Sequence, residues 1–404
     1  MANLRLRLLA DYYGGGILHA LLKPPTILLG KVLRRDHSLE RCADITFVKL
    51  LGGGSLAVAY PALLAIKNRP HTRALRLLTT PSIQPFGEVL GLFDEIIVVR
   101  EHSFVLLALD SFRAILKLFR CDAIVDLEIH SRLTTVFSLL TCARNRVGFY
   151  TSMSFWRKGI STHLLFCNIA NGIYYFYDQI ASLFGARVSG MDASVAAFRG
   201  YLGLTPPDSR PATRQIGLAP CCSDLSKERM LLPEEWMEAL GRRLGASEPA
   251  DVHLLGAPAE VEYLDRFAAL IRARFPAAVP VNHAGKASLR QSVCLLAGLD
   301  ELDCIDSALF HFARLLGIPT VSFWGPTDPR VLVRPSETHR DEVHYYKLPC
   351  SPCVHLAQSP PCFGDNLCMR FALRPEQAAN CNPPWVIAGA ASSHPKVDGK
   401  AKAQ

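Results

Sequence analysis

Two runs of alternating strand-like and helix-like segments, separated by a proline break, constrain this chain more than any single motif. Between residues 44 and 149, short Val/Ile/Leu-rich runs (44–51, 74–79, 95–100, 123–127, 146–149) alternate with helical patterns (57–67, 104–119, 131–142). Apolar strands alternating with helices predict a parallel sheet covered on both faces. Residues 150–200 are aromatic and mostly helical by pattern. A break with linker composition follows at Leu204-Thr205-Pro206-Pro207-Asp208-Ser209-Arg210-Pro211. The alternation then restarts, with strands at 215–219, 251–256, 279–282, 302–305 and 319–324 and helices between them. A chain of 404 residues exceeds the ~250–300 that one core supports. The expected organisation is a leader (1–43), an α/β domain (44–205), a linker (206–212), a second α/β domain (213–385) and a small, polar, disordered tail (386–404). Two such domains facing each other leave a cleft at the carboxyl ends of their strands, where ligands of open α/β sheets sit.

Bulk properties narrow the function classes. The net charge is +8, and many cations cluster early: Arg5, Arg7, Lys23, Lys31, Arg34 and Arg35, alternating with leucines and two tyrosines. Such a start suits either a solvated helix or contact with an anionic membrane face. No basic–aromatic stacking motif is present, which argues against nucleic acid. No apolar run reaches the ~18 residues that span a bilayer, and Asp11 with Gly14-Gly15-Gly16 interrupts any signal-like core. The expected location is cytoplasmic. Thirteen cysteines in such a chain read mainly as small core side chains rather than a disulfide framework.

The chemistry concentrates at strand ends. Gly52-Gly53-Gly54-Ser55 closes the first strand and opens a helix, and glycine there allows close backbone approach to a ligand. Asp126-Leu127-Glu128 ends another strand of the same sheet, which would aim its carboxylates at the cleft unless they are solvated loop groups. In the second unit, Ser223, Lys227 and Arg229 follow the first strand, as hydroxyl donors and phosphate-neutralising cations. Gly285-Lys286-Ala287-Ser288 places Lys286 at a helix start. Asp306-Ser307 stands where a strand stops and a helix begins, with His311 one turn on, on the face of Ser307. An ordinary N-cap with a packed histidine would look the same, so the convergence of several such loops carries the argument for a diphosphate site.

In this order the motifs resemble glycosyltransferase family 9, the lipopolysaccharide heptosyltransferases, over about residues 44–380. The matching segments are Phe47–Ser55 with Pro61-Ala62-Leu63, Val125–Glu128, Arg146-Val147-Gly148-Phe149, Gly285–Leu289, Asp306–His311, and Phe323-Trp324-Gly325-Pro326-Thr327-Asp328-Pro329, where a tryptophan is inserted. The Cys-Ser-Pro-Cys and later Cys-Met segments match as well. The resemblance implies a GT-B fold and inverting, metal-independent sugar transfer from a nucleotide-activated donor, often ADP-heptose. It implies a lipopolysaccharide or lipid-linked glycan acceptor at the inner membrane face. Carried over, Ser307 and His311 would hold the diphosphate, Asp306 the sugar hydroxyls, and Lys227 or Arg229 a phosphate charge.

The chain departs from the family pattern at one central place. Ser55 stands where the family has its catalytic aspartate, and a serine hydroxyl does not accept a proton at neutral pH unaided. Either Glu128 or Asp126 takes over as base, or the chain is a catalytically impaired nucleotide-sugar-binding or scaffold protein. Ala308 and Leu309 also replace a Gly-Pro. Finally, Cys350, Cys353, Cys362 and Cys368 have a spacing that a structural zinc accepts, though reduced thiols in a loop fit it equally.

Overall fold

The computed structural model describes residues 9–168, 170–204, 211–222, 229–244, 249–354, 356, 360, 362 and 365–375. The expected tail (386–404), most of the linker, and Ser223 and Lys227 lie outside the described residues. The leader forms helix α1 (Gly15–Leu33), preceded by a π-turn at Ala10–Gly14. The first unit then runs β1 (Asp44–Val48), α2 (Gly54–Lys67), β2 (Ala74–Thr79), α3 (Gln84–Leu90), β3 (Glu95–Val98), α4 (Phe104–Lys117), β4 (Ala123–Asp126), α5 (Arg132–Leu140), β5 (Asn145–Tyr150) and β6 (His163–Phe166). Helices α6 (Ile173–Leu183) and α7 (Met191–Leu202) lead to the second unit. That unit runs β7 (Arg214–Ala219), α8 (Pro233–Gly241), β8 (Ala250–Leu254), α9 (Val261–Arg274), β9 (Ala278–Asn282), α10 (Leu289–Leu296), β10 (Glu301–Ile305), α11 (Ala308–Leu316), β11 (Thr320–Trp324), α12 (Pro329–Leu332), β12 (Asp341–Tyr345) and α13 (Leu367–Leu373).

Each unit is a six-stranded, all-parallel sheet, ordered β3-β2-β1-β4-β5-β6 in the first and β12-β11-β10-β7-β8-β9 in the second. Counted from each unit's first strand, the two orders are the same doubly wound 3-2-1-4-5-6. The switch points therefore fall between β1 and β4, and between β7 and β10, where ligands of such sheets bind. The fold is α/β of the GT-B type. Helix α3 and the edge strands β6 and β12 are absent from the sequence reading. β12 (Asp341-Glu342-Val343-His344-Tyr345) is a polar, half-exposed edge strand, so it lacks the apolar run that marks a central one.

The two faces of the first sheet bury different helices. Phe47, Leu77 and Val125 point into a core with α2, whereas Val48, Leu78 and Ile124 pack with Ala114 of α4. The first of these cores does not stop at the unit boundary. It continues through Phe198 of α7 into Phe310, Phe312, Ala313, Leu315 and Leu316 of α11. Phe312 stacks between Phe86 of the first unit and Phe198, with ring centroids 6.2 Å and 6.1 Å away. Arg199 adds a hydrogen bond across the seam, from Nη1 to the Leu316 carbonyl at 3.1 Å.

The leader corrects one expectation. Helical structure is continuous over Ala10–Leu33, 24 residues, and this stretch is long and apolar enough to cross a membrane by length and composition. Neither the glycines at 14–16 nor Pro24-Pro25 breaks it. Pro24 and Pro25 supply no amides to the Ala20 and Leu21 carbonyls, yet the helix continues past them.

Because Phe312 is fully buried between the two units, Phe312→Ala is expected to lower global stability by roughly 3–5 kcal/mol. Denaturant unfolding followed by near- and far-ultraviolet circular dichroism should show both units losing structure at a lower midpoint. An unchanged midpoint would mean that the seam is not load-sharing core.

Candidate active site

The two switch points meet. At the end of β1 the chain turns through Gly52, whose φ of +72° is a left-handed value that glycine adopts freely. Two residues later Gly54 begins α2 against the start of α11. A side chain there would sit 3.2 Å from the Ala308 Cα and 3.5 Å from the His311 ring. A hydrogen at this position is what lets the turn of one unit touch the helix start of the other. Gly53 is packed in the same way against the Phe86 ring.

On the first-unit side, Glu128 leans over the turn. Its Oε1 accepts from the Leu50 and Leu51 amides at 2.8 and 3.0 Å and lies 3.3 Å from Lys49 Nζ. These contacts hold the carboxylate over the chain that leads into the glycine turn. Ser55 Oγ donates to the Gly52 carbonyl at 2.7 Å, so its proton is committed within the turn. The Tyr177 hydroxyl lies close enough to Ser55 and Lys49 to feel both; burial pushes its pKa up, and they pull it down. Lys49, Ser55, Glu128 and Tyr177 thus form one cluster.

Asp126 does not join them, which corrects its reading as a cleft-facing carboxylate. It is 4% exposed and points inward. Its Oδ2 pairs with the fully buried Arg157 at 2.9 Å and accepts from Thr134 Oγ1 at 2.9 Å, while Oδ1 accepts from the Glu128 amide at 3.0 Å. Burial pushes this carboxyl up against the pull of Arg157. An internal pair of this kind orients the strand end that carries Glu128; it has no route to an acceptor hydroxyl.

On the second-unit side, Asp306 at the end of β10 is likewise held inside the protein. Arg229 Nη1 lies 2.9 Å from its Oδ2 and donates to its backbone carbonyl at 3.0 Å. Thr327 Oγ1 donates to Oδ2 at 2.8 Å, and His311 Nε2 stands 3.7 Å from Oδ1. Burial raises the Asp306 pKa, but Arg229 and His311 outweigh it and lower it to about 2. These partners occupy the carboxylate expected to hold sugar hydroxyls. Beside it, α11 begins without a side-chain cap at Ser307. The Ser307 Oγ and the Arg229 Nε are both buried, and neither has a hydrogen-bond partner among the described residues. Unpaired buried donors are costly, so such a pair at an uncapped helix start fits an anionic oxygen.

Lys286 stands apart from this group. It is exposed, donates to the Asn282 carbonyl at 3.0 Å and follows β9, the edge strand. Strands β8 and β7 separate it from β10, about 14 Å at the usual strand spacing.

Residues 178–363 match the sequence profile of glycosyltransferase family 9 (heptosyltransferase). The chain contains a glycosyltransferase family 9 domain. It is a glycosyltransferase, and solved structures share its fold. The glycosyl transferase family 9 protein of Veillonella parvula is 18% identical, with a TM-score of 0.58 over 78% of this chain and 88% of that one. The ADP-heptose lps heptosyltransferase II of E. coli is 17% identical, with a TM-score of 0.56 over 83% and 99%. E. coli heptosyltransferase WaaC with ADP-2-deoxy-2-fluoro heptose is 15% identical, with a TM-score of 0.53 over 84% and 100%. No curated protein matches the chain.

Two transferase residues beside the site were visible only in part in the sequence. Thr327 lies inside the quoted Gly-Pro-Thr-Asp-Pro segment, yet nothing local marks it as a partner of Asp306. Tyr177 sits in an aromatic helix, and no spacing ties it to Ser55. The four cysteines do gather: Cys350, Cys353 and Cys362 all act electrostatically on Cys368, whose thiol burial pushes up to about 12. Among the described residues, however, no group of three His, Cys, Asp or Glu side chains is placed to hold a metal ion. The zinc expectation therefore gains no support from the geometry.

The low pKa of Asp306 has a definite sign in stability. Its folded value of about 2 lies below the ordinary 3.8, so the ionised carboxylate contributes stability above about pH 4 that is lost as the pH falls towards 2. The contribution is on the order of 2 kcal/mol. The stability advantage of the parent protein over Asp306→Asn, measured by denaturant titration, is expected to be full at pH 6 and to shrink from pH 4 downwards. An advantage constant across that range would contradict the charged pairing.

Proposed function

We propose that this transferase moves a sugar, a heptose or a close relative, from an ADP-heptose-like nucleoside-diphosphate donor to a lipopolysaccharide or lipid-linked envelope glycan, on the cytoplasmic face of the inner membrane. Transfer inverts the anomeric centre and needs no metal. The observation that carries this reading is the apposition of the two switch points. A carboxylate stands on one side of the seam, and an uncapped helix start with two unpaired buried donors stands on the other.

In the proposed reaction, an acceptor hydroxyl attacks the anomeric carbon while Glu128 takes its proton, and the bond from that carbon to the diphosphate oxygen breaks. Negative charge grows on the departing nucleoside diphosphate. The amide dipoles at the start of α11, with Ser307 Oγ and the Arg229 guanidinium, stabilise it without a cation cofactor. Asp306 acts as a positioning residue, holding Arg229 and His311 in place. The bound ligand of the WaaC structure, an ADP-2-deoxy-2-fluoro heptose, supports an ADP-sugar as the donor.

A second reading has one observation in its favour. Ser55, at the position of the family's base, spends its proton on Gly52. If no other group serves as base, the protein binds nucleotide sugar without turning it over.

The two readings separate on single variants assayed with ADP-heptose and a heptose-accepting lipid glycan, reading ADP release and acceptor mass. Glu128→Gln is expected to lower kcat by roughly a hundredfold or more, the usual weight of a general base, whereas Ser55→Ala should stay near the parent rate. Thermal-midpoint shifts with nucleotide sugars but no turnover would favour the binding reading. The absence of any shift with ADP-, GDP-, UDP- or TDP-sugars would count against both.

A further inference from the structure

Helix α4 is built inside out. Its inward side is short: Ala114 reaches the sheet, and Asp110 is buried in a pair with Arg100, whose Nε donates to Oδ2 at 2.8 Å. Its outward side carries Phe104, Val105, Leu109, Phe112 and Leu116, and Phe112 is 58% exposed. From Val105 onwards these positions recur at three- to four-residue spacing, so they form one stripe along the helix. A surface helix with its apolar stripe towards water has no partner for it among the described residues.

The leader helix repeats the arrangement. Tyr13, Ile17, Leu21, Leu28 and Val32 are exposed, Leu21 by 67%. Only Gly15 and His19 are buried in α1, and His19 packs edge-on against Trp156. The helix is nevertheless fastened to the domain. Asp11 accepts from Ser131 Oγ, Arg132 N and Leu133 N at 2.7, 3.0 and 2.9 Å, which caps the start of α5 from 120 residues away. Gly15 lets α1 approach Arg132 closely. On its other side α5 meets α4, where Phe137 and Leu107 pack on the same small core. The order α1, α5, α4 thus forms one layer on the sheet face away from the core shared by the two units.

We infer that this layer is a docking face for an anionic lipid bilayer, made by α1 and α4 together rather than by the leader alone. Charge selects the occupant. Exposed cations border both stripes, with Lys31, Arg34 and Arg35 on the leader and Arg113, Lys117 and Arg120 in and just past α4; Arg113 also lies 3.6 Å from Asp110, and Lys117 pairs with Glu95 at the sheet edge. Asp11, just ahead of α1, is committed to α5, and Asp110, the acidic residue of α4, to Arg100 and Arg113. Two copies of this face brought together would oppose cation to cation. Anionic headgroups would neutralise them while acyl chains cover the stripes. Because α1 lies along the domain, with Lys23 Nζ reaching the Trp156 carbonyl at 3.4 Å, the helix rests in the interface plane. The α5 start that Asp11 caps belongs to the strand end bearing Glu128, so a bilayer on this face lies beside the first-unit half of the site. This surface deepens the membrane-face part of the proposed function, but it stands or falls without any sugar transfer.

Flotation of the full chain with phosphatidylcholine vesicles, with and without phosphatidylglycerol, tests it in the absence of substrate. Binding is expected only with phosphatidylglycerol and should weaken as salt rises. Phe112→Glu with Leu116→Glu on α4, and Lys31→Glu with Arg34→Glu and Arg35→Glu at the end of the leader helix, should each reduce the bound fraction by about tenfold or more. Val279→Glu, on an exposed edge strand of the second unit, should leave it unchanged. Circular dichroism checks that each variant folds. Undiminished binding of the α4 variant would overturn the two-helix face, as would equal binding to neutral vesicles or none at all. Two further outcomes would also overturn it: a dimer that the α4 variant dissociates, and a leader that resists alkaline carbonate extraction as a spanning helix does.

Discussion

Everything in this molecule leans on the burial of helix α11. From Phe310 to Leu316 every residue is buried, and the apolar ones among them complete a core that begins in the other sheet. The helix cannot shift without opening that core. Its amino end is therefore held rigidly against the glycine turn of the first unit. The position of the seam between the units is set here by hydrophobic packing several residues away from the polar groups that line it, and the seam inherits the stiffness of a close-packed interior.

Electrostatics then make this helix start usable. An aspartate one residue before an uncapped helix terminus would repel the anion such a terminus attracts. Arg229 and Thr327 neutralise and hold Asp306, and His311 stands by its other oxygen. Asp306 is in effect a second-unit counterpart of Asp126. Both stand at the end of a strand next to a switch point, both are buried, and both pair with an arginine from the chain around them. In each unit the buried pair shapes the loop, and a neighbouring residue, Glu128 or Ser307, is the one presented at the seam.

The first unit carries its two environments on opposite faces of one sheet. One face is spent on joining the units through α2, α3 and α11. The other holds α4, α5 and the leader, where apolar side chains outnumber the interior positions available to them. A single six-stranded sheet thereby links a rigid seam to an apolar, cation-bordered exterior, and α5 touches both through its start beside Glu128 and its flank against α1.

Much of the architecture was legible before any coordinates. Central strands such as 74–79 and 302–305 are continuous apolar runs, which burial on both faces demands, and the repeated alternation carried the two-sheet organisation with it. The motif order pointed to the family, and the glycine turn and the Asp306-Ser307 helix start were both readable as strand ends. Edge strand β12 was not, because a half-exposed strand needs no apolar run. The leader helix is not legible in the sequence because glycine and proline mark breaks only on average, and here Pro24 and Pro25 lie inside a helix that continues through them. What the sequence determined by itself was which residues end strands, since that depends on local pattern. Only the tertiary structure decided which way those residues point. Asp126 and Glu128 are two positions apart, a spacing that puts them on the same side of an ideal strand, yet the buried Arg157 draws one inward while the Leu50 and Leu51 amides hold the other at the seam. Those partners come from elsewhere in the chain, and no local pattern encodes them.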